Sequence, residues 1–521
     1  MTEALAFDFA ALPAGWPLLL AGAFAAALSL PIAARNVGWL GLIASLYFLF
    51  IDGSAPALAP LDGALALAFH LVAAAGLLFA ATMPDRTAVA CGLIATGAGT
   101  AAIAGTSLPS LMIWTEVIAI ASALIIMAGG TMEAIRAGLA YLLLQVLAGV
   151  LLLIAIVYGA GTETAAVLIL IGLGIKAALP PAHGWLIHGY PAATPTGSLF
   201  LSAFATKIAI LGMVRFLPGT EALVWIGLAM AVGGVIPTLF ESNWRRLLAW
   251  ALVSQLGVMV IGVGLGDEAA LAGVRMLAIG HVIYATMLFL VAGVLERAGG
   301  TAPRGLLLLT LAATVSIGVP GLAGYGGKAV IGEALIHHGM GWADIVIVVV
   351  GAIVFATAGL RPIMDRCRVT GGHTVVGRDT VATLILLAGG VGIGAFGGLL
   401  SPHAEAAFHG EPLIIQGVAL LAVIVFMTTR LRHLLPQRDN ALGFLAVPWP
   451  RWVTGAVDLG IPVGNVLVRL GEEFATLLGQ GGRFGGRAVL GLARFVTYGG
   501  VGDGVLWTVA LLTLVLIVSF G

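Results

Sequence analysis

Residues 171–215 read IGLGIKAALPPAHGWLIHGYPAATPTGSLFLSAFATKIAILGMVR. Two apolar runs are separated by a Pro-Pro break, with Lys176 in the first run, Lys207 in the second and His183 between them. The whole chain has only three lysines, and the third, Lys328, also lies at a Gly-rich break in an apolar run, GVPGLAGYGGKAVIGEAL. The other twenty-one of the 24 basic residues are arginine, and nearly all fall between apolar runs. Lysine is thus the intramembrane cation and arginine the loop cation. That division suits proton chemistry, because a desolvated lysine can give up its proton near neutral pH and arginine effectively cannot. An ionisable residue at membrane depth is a functional candidate.

Composition sets the class. Of 521 residues, 60% are hydrophobic and 9% charged, with mean hydropathy +1.11, and apolar stretches of about 17–25 residues recur from end to end. A soluble protein is excluded. The expected fold is an all-α polytopic membrane protein with the lipid bilayer as its first partner and no nucleic-acid partner. The zero formal charge says little, since the position of each charge matters more than the sum. Cys91 in an apolar run and Cys367 in a basic loop form neither a disulfide framework nor a metal-ligand spacing. The N-terminus, with Glu3 and Asp8 and no basic region, is not expected to be a cleaved signal peptide.

The hydropathy pattern predicts about fourteen to sixteen spans, near 15–34, 37–52, 64–82, 88–107, 109–130, 137–158, 163–182, 198–217, 222–240, 246–266, 274–296, 305–336, 342–360, 380–400, 411–429 and 503–520. Loops after odd-numbered spans hold nineteen arginines, from Arg35 and Arg86 through the eight between Arg430 and Arg494. Loops after even-numbered spans hold two, Arg215 and Arg275, with acidic residues such as Asp52, Glu163, Glu221, Asp267 and Asp344. The positive-inside rule then places odd loops in the cytoplasm and both termini on the outer, periplasmic side of a bacterial-type inner membrane.

The seventh and twelfth spans are expected to be interrupted by Pro or Gly and their neighbours continuous. A broken helix is tolerated at membrane depth only where the break faces protein or a water-filled cavity. Two breaks five spans apart, each beside a lysine, are what an inverted repeat around a midplane ion site would produce. The expected organisation is N-terminal helices over 1–87, a first repeat over 88–217 and a second over 218–361. C-terminal helices over 362–429, a cytoplasmic-side amphipathic segment over 430–502 and a final span over 503–521 follow.

Further motifs follow in order: WTEVIAIASALIIMAG at 114–129, GIKAALPPAHGWL at 174–186, SAFATKIAILGMVR at 202–215, NWRRLLAWALVSQLGVMVIGVGLG at 243–266, GHVIYATMLFLVAGVLE at 280–296 and GVPGLAGYGGK at 318–328. This series, over about residues 85–400, resembles the antiporter-like membrane subunits of respiratory complex I. The same family includes subunits of Mrp-type cation/proton antiporters and membrane-bound hydrogenases. The stretch SQLGVMVIGVGLG is most similar to the Mrp D-type subunit. The resemblance implies a buried ion pair between Glu116 and Lys176. It also implies a hydrated titratable axis through Lys207 and Lys328, with His183, His281 and Tyr284 as polar relay positions. It further implies other membrane subunits of one complex as partners, with protons and Na+ or K+ as the moving ions.

One departure stands out. The family pattern His-x-x-x-Lys-x-x-Leu-Phe is read here as His281, Val282, Ile283, Tyr284, Ala285, Thr286, Met287, Leu288, Phe289. Ala285 stands where the family has lysine, so His281, Tyr284 and water would have to bridge the centre.

Plainer readings stay open beside these. Glu116 with Lys176 can be a structural pair, Lys207 can snorkel to an interface, His183 can cap exposed backbone, and His281 can be a satisfied core histidine. His70 reads as structural; His337, His338, His403 and His409 read as solvated. Glu241, Glu296 and Glu333 read as interfacial. No metal spacing is present, and GGVGIGAFGG at 389–398 lacks the strand-turn-helix context of a nucleotide loop and reads as close helix packing. No cofactor site is visible, so any redox chemistry would belong to another subunit. Residues 430–502 read as interfacial helices, serving either as a partner-docking surface or as a lipid anchor.

The expected function is proton/cation translocation within a Mrp-type Na+(K+)/H+ antiporter-like complex, a transporter rather than an enzyme. Two alternatives are kept: a proton-pumping subunit of complex I or a membrane-bound hydrogenase, and an energy-coupling or scaffold partner, such as one for inorganic-carbon uptake.

Overall fold

The computed structural model describes residues 15–28, 30–50, 58–159, 161–298, 302–319, 322–361, 370–374 and 377–395, with residues 417, 421 and 425. Most of the expected span at 411–429, the segment 430–502 and the last span at 503–520 lie outside these residues. The described residues form a helical bundle, and ten helical spans among them are long and apolar enough to cross a membrane.

The helices are α1 (Trp16–Ala27), α2 (Pro31–Phe50), α3 (Pro60–Phe79), α4 (Arg86–Ala104), α5 (Leu108–Met127), α6 (Met132–Tyr158) and α7 (Glu163–Lys176). They continue with α8 (Gly184–Ala192), α9 (Pro195–Leu201), α10 (Ala205–Phe216), α11 (Ala222–Phe240), α12 (Trp244–Leu265) and α13 (Glu268–Arg297). The remaining elements are α14 (Leu306–Gly318), α15 (Ala323–His337), α16 (Gly341–Val354) with a π-helical turn at Phe355–Leu360, and α17 (Gly377–Ala395). Two short strands, β1 (Ala302–Arg304) and β2 (Thr370–Thr374), pair in parallel. They are the one addition to an otherwise helical architecture among the described residues.

Helix starts follow local chemistry. Asp85, Ser107, Thr131, Thr162, Thr194, Asn243 and Asp267 each stand just before a helix and accept a backbone N–H from its first turn. The core sits on α12 and α13, whose most apolar windows are completely buried. The faces of α2 and α6 instead expose large apolar side chains, among them Leu40, Ile43, Val150, Leu153 and Val157, as a lipid-facing surface does. Between α11 and α12 the backbones touch directly: a Cβ added at Gly227 would lie 2.7 Å from the Gly257 carbonyl oxygen. Glycine at such a contact is how apolar helices approach closely without a hydrophobic driving force.

One order of elements occurs twice. Three continuous helices (α4, α5, α6) lead to a broken span (α7 and α8) and then an irregular one (α9 and α10). Three more (α11, α12, α13) lead to the broken α14 and α15 and then to α16 with its π turn. Five spans per copy is an odd number, so the second copy runs with inverted topology.

Three expectations are corrected. The eighth span is not continuous: α9 ends at Leu201 and α10 begins at Ala205, because tertiary hydrogen bonds described below take over at the break. Arg35 lies inside α2, which Pro31 starts early by presetting the helical backbone. Arg275 lies inside α13, where Asp62 of α3, 3.6 Å away, balances its charge.

Candidate functional site

The first break is self-sufficient in hydrogen bonds. Lys176 is the last residue of α7. The amides of Ala177 and Leu179 donate back to the Leu173 and Gly174 carbonyls at 2.7 and 2.8 Å. The turn passes through Ala178 in the left-handed region, φ 61°, and a cis Pro180–Pro181 bond. The buried indole of Trp185, on α8, reaches back and donates to the Ile175 carbonyl at 2.9 Å. Carbonyls freed by ending a helix in lipid are thereby satisfied within protein.

Lys176 then crosses to α5, where its ammonium donates to Glu116 Oε1 at 2.7 Å; the two side chains are 3% and 27% exposed. A second donation, at 3.5 Å, goes to the Gln145 carbonyl of α6. Gly149 of α6 makes room for this pair, since a Cβ at that position would collide with the Glu116 carboxylate.

The second lysine occupies the break that the sequence did not show. Lys207 is fully buried, and its ammonium donates to the Ser202 carbonyl at 2.5 Å. The Ser202 hydroxyl in turn lies 3.3 Å from the Thr286 hydroxyl of α13. This polar chain delivers the Lys207 region to α13 one residue past Ala285.

On the other side of α13, Lys328 of α15 donates to the Ile317 carbonyl near the end of α14, at 3.2 Å. Its ammonium also stands 5.9 Å from the centre of the Tyr284 ring, within reach of a cation–π attraction. Tyr284 donates to Gln255 Oε1 of α12 at 3.4 Å, and the His281 and Tyr284 ring centres are 5.1 Å apart. His183 is buried at the start of α8, its ring centre 5.5 Å from that of Trp250 on α12. Each lysine is therefore buried at or beside a helix break, and each ammonium is held by a backbone carbonyl, with a carboxylate added only for Lys176.

Three polar residues escaped the sequence reading. Gln255 is fully buried beside Tyr284, but an amide in an apolar span carries no charge to draw notice. Ser202 matters through its carbonyl, which composition cannot reveal. Asp344, read as a loop acid, stands in the first turn of α16 with its carboxylate packed against Gly332, one turn along α15 from Lys328.

Several other groups are structural. His70 is bonded to the Ser45 hydroxyl at 2.9 Å and the Ala66 carbonyl at 2.7 Å. Glu296 pairs with Arg245 at 2.6 Å. Glu241, read as interfacial, is fully buried and accepts the Asn243 amide at 3.0 Å. His338 is exposed and lies 3.0 Å from Asp267. Asp379, fully buried, takes hydrogen bonds from Thr82 and Arg297 and thereby ties α17 to the turn after α3 and to α13. Among the described residues no three His, Cys, Asp or Glu side chains are grouped to hold a metal ion.

The described residues thus form a polytopic helical membrane protein with lysines buried at its helix breaks and one of them in an ion pair. Residues 158–356 match the family model described as NADH:quinone oxidoreductase/Mrp antiporter, transmembrane. Over this part the chain is similar to antiporter-like membrane subunits of Mrp antiporters and complex I. It is 28% identical over 263 residues to the D-type subunit of the Na(+)/H(+) antiporter of Alkalihalophilus pseudofirmus, covering 42% of this chain and 53% of that one. It is 27% identical over 197 residues to the NAD(P)H-quinone oxidoreductase chain 4 of Picosynechococcus sp., covering 34% and 35%. The matched part thus spans about a third to a half of these curated relatives. In fold it is similar to a chain of the Mrp complex from Dietzia sp. DQ12-45-1b, with TM-score 0.64, 22% identity, and coverage of 79% of this chain and 99% of that one.

Proposed function

We propose that this chain translocates protons or cations as the D-type subunit of a multisubunit Mrp-type Na+(K+)/H+ antiporter-like complex in a bacterial-type inner membrane. The observation that carries this reading is the Lys176–Glu116 pair, 2.7 Å across at the end of the broken α7, with two further lysines, Lys207 and Lys328, also buried. A buried ammonium is stable while a carboxylate balances it, and separating the two favours release of the proton. Glu116 and Lys176 form the gate, Lys207 passes the proton toward the centre, and Lys328 is the exit group. His183 and the His281–Tyr284 pair serve as relays.

Likeness to both antiporter and quinone oxidoreductase subunits supports a second reading, a proton pump powered by redox chemistry elsewhere in its complex. Gentle extraction of the tagged chain from native membranes separates the two. Co-purification of small membrane subunits, with Na+- or K+-dependent proton exchange in vesicles, supports the antiporter. Recovery of flavin and iron-sulfur subunits supports the redox pump. A single large soluble partner and no exchange would overturn both and leave an energy-coupling role.

A further inference from the structure

Arg215 and Arg275 are the two arginines that the loop pattern assigns to the arginine-poor face, where the positive-inside rule disfavours them. The fold brings both to one carboxylate. Arg215 Nη2, in the last turn of α10, lies 3.7 Å from Asp62 Oδ2, and Arg275 Nε, on α13, lies 3.6 Å from Asp62 Oδ1. Asp62 stands in the first turn of α3. Arg215 is also anchored on the end of α4: Nη1 donates to the Ala102 and Gly105 carbonyls at 2.9 and 2.6 Å, and Nη2 to the Ile103 carbonyl at 2.5 Å. Four helices converge on this clasp. Two positive charges meet one carboxylate, and the carbonyl end of α4 adds only about half a negative charge. The clasp therefore stays positive at every working pH, because arginine keeps its proton. Lys207 lies on the same helix, a little over two turns before Arg215, or about 12 Å along the axis. Since α10 packs on α13, the clasp closes the arginine-poor end of the seam between them.

We infer that Arg215, with Arg275 and Asp62, forms an electrostatic seal: it rejects protons and alkali cations at this end of the seam, so that a proton at Lys207 passes to α13 rather than escaping along α10. The seal rests on the transport reading above, which makes Lys207 a carrier. A fixed positive charge at the end of a polar route is a barrier to any cation. Even half a charge met at about 6 Å, at an effective dielectric of about 20, lowers a proton's population about tenfold. Asp62 holds the two guanidiniums together without cancelling them, and the Ser202 and Thr286 hydroxyls leave α13 as the open side.

The test compares proton leak with coupled exchange in proteoliposomes that hold the intact complex. Leak is the proton flux down an imposed pH gradient with neither Na+ nor K+ present. Arg215→Gln should raise it about tenfold or more. Arg215→Lys, which loses the same forked contacts with α4 but keeps the charge, should stay near wild type. Arg275→Gln, at the most exposed of the three sites, leaves one arginine against one carboxylate and should leak as well, even where the Arg215 variants fail to assemble. Asp62→Asn removes the tie between the helices but makes the clasp more positive, so its leak should not rise. Equal leak in Arg215→Lys and Arg215→Gln, or a raised leak in Asp62→Asn, would reveal a purely structural staple and overturn the seal. Wild-type tightness in both glutamine variants would also overturn it, and with Lys176→Ala still blocking exchange the transport reading would survive. A wild-type complex that exchanges no cation for protons would overturn both.

Discussion

The Lys176 ammonium lies 2.7 Å from Glu116 Oε1, in the space that the missing side chain of Gly149 leaves between α5 and α6. A third helix thus shapes an ion pair whose members come from two others. Removing Glu116 would strand a buried ammonium, whereas Glu116 itself keeps 27% exposure, so on the carboxylate side the cleaner probe acts on the space between them.

Gly149→Ala should displace the Glu116 carboxylate and slow cation-driven proton exchange by about tenfold or more, since a hydrogen bond between charged groups is worth about 1.5–3 kcal/mol. Exchange normalised to assembled complex in proteoliposomes checks this. A wild-type rate would show that the contact is not used.

Trp185→Phe should leave the Ile175 carbonyl without the 2.9 Å indole bond at the end of α7. The expected loss is about 0.5–1.5 kcal/mol, the net worth of one hydrogen bond, because the carbonyl keeps the Ala178 amide at 3.1 Å. Thermal unfolding of the purified complex measures it, and an unchanged midpoint would mean that another donor replaces the indole.

How far these features were legible follows from the chemistry of each break. The Pro-Pro pair after Lys176 and the Gly-rich run before Lys328 announce themselves, because both residue types resist a continuous helix. The break before Lys207 does not: Ser202, Ala203 and Phe204 contain no helix breaker. There the Ser202 carbonyl is drawn to Lys207 and its hydroxyl to Thr286, partners that only the packed structure supplies. The π turn at Phe355–Leu360 is equally silent in sequence. Arginine marks loops well until a carboxylate from another helix meets it, as Asp62 meets Arg275. Gln255 was invisible because its meaning lies in its bond to Tyr284 rather than in charge.

Asp379→Leu should loosen α17 before anything else. The lost pair with Arg297 falls between an exposed pair, worth up to about 1 kcal/mol, and a buried one, worth about 3–5 kcal/mol, because Arg297 keeps 23% exposure. Faster hydrogen exchange over 377–395, with α4 to α10 unchanged, is the expected pattern. Uniform exchange would contradict this local role.

Gly257→Leu should prevent close approach of α11 and α12, because even a Cβ there would meet the Ala231 amide nitrogen and the Gly227 carbonyl. Overpacking of this kind costs about 1–3 kcal/mol or more. Gly233→Leu, on α11 with nothing within 4 Å of its Cβ position, should be tolerated. Monodisperse yield in mild detergent compares the two, and equal yields would refute the contact.

The central claim is that the lysine at the first break carries the proton, and Lys176→Ala in the full complex tests it most directly. The variant complex should assemble at wild-type abundance and show no cation-coupled proton exchange in proteoliposomes. Exchange at the wild-type rate from a correctly assembled Lys176→Ala complex would contradict the account.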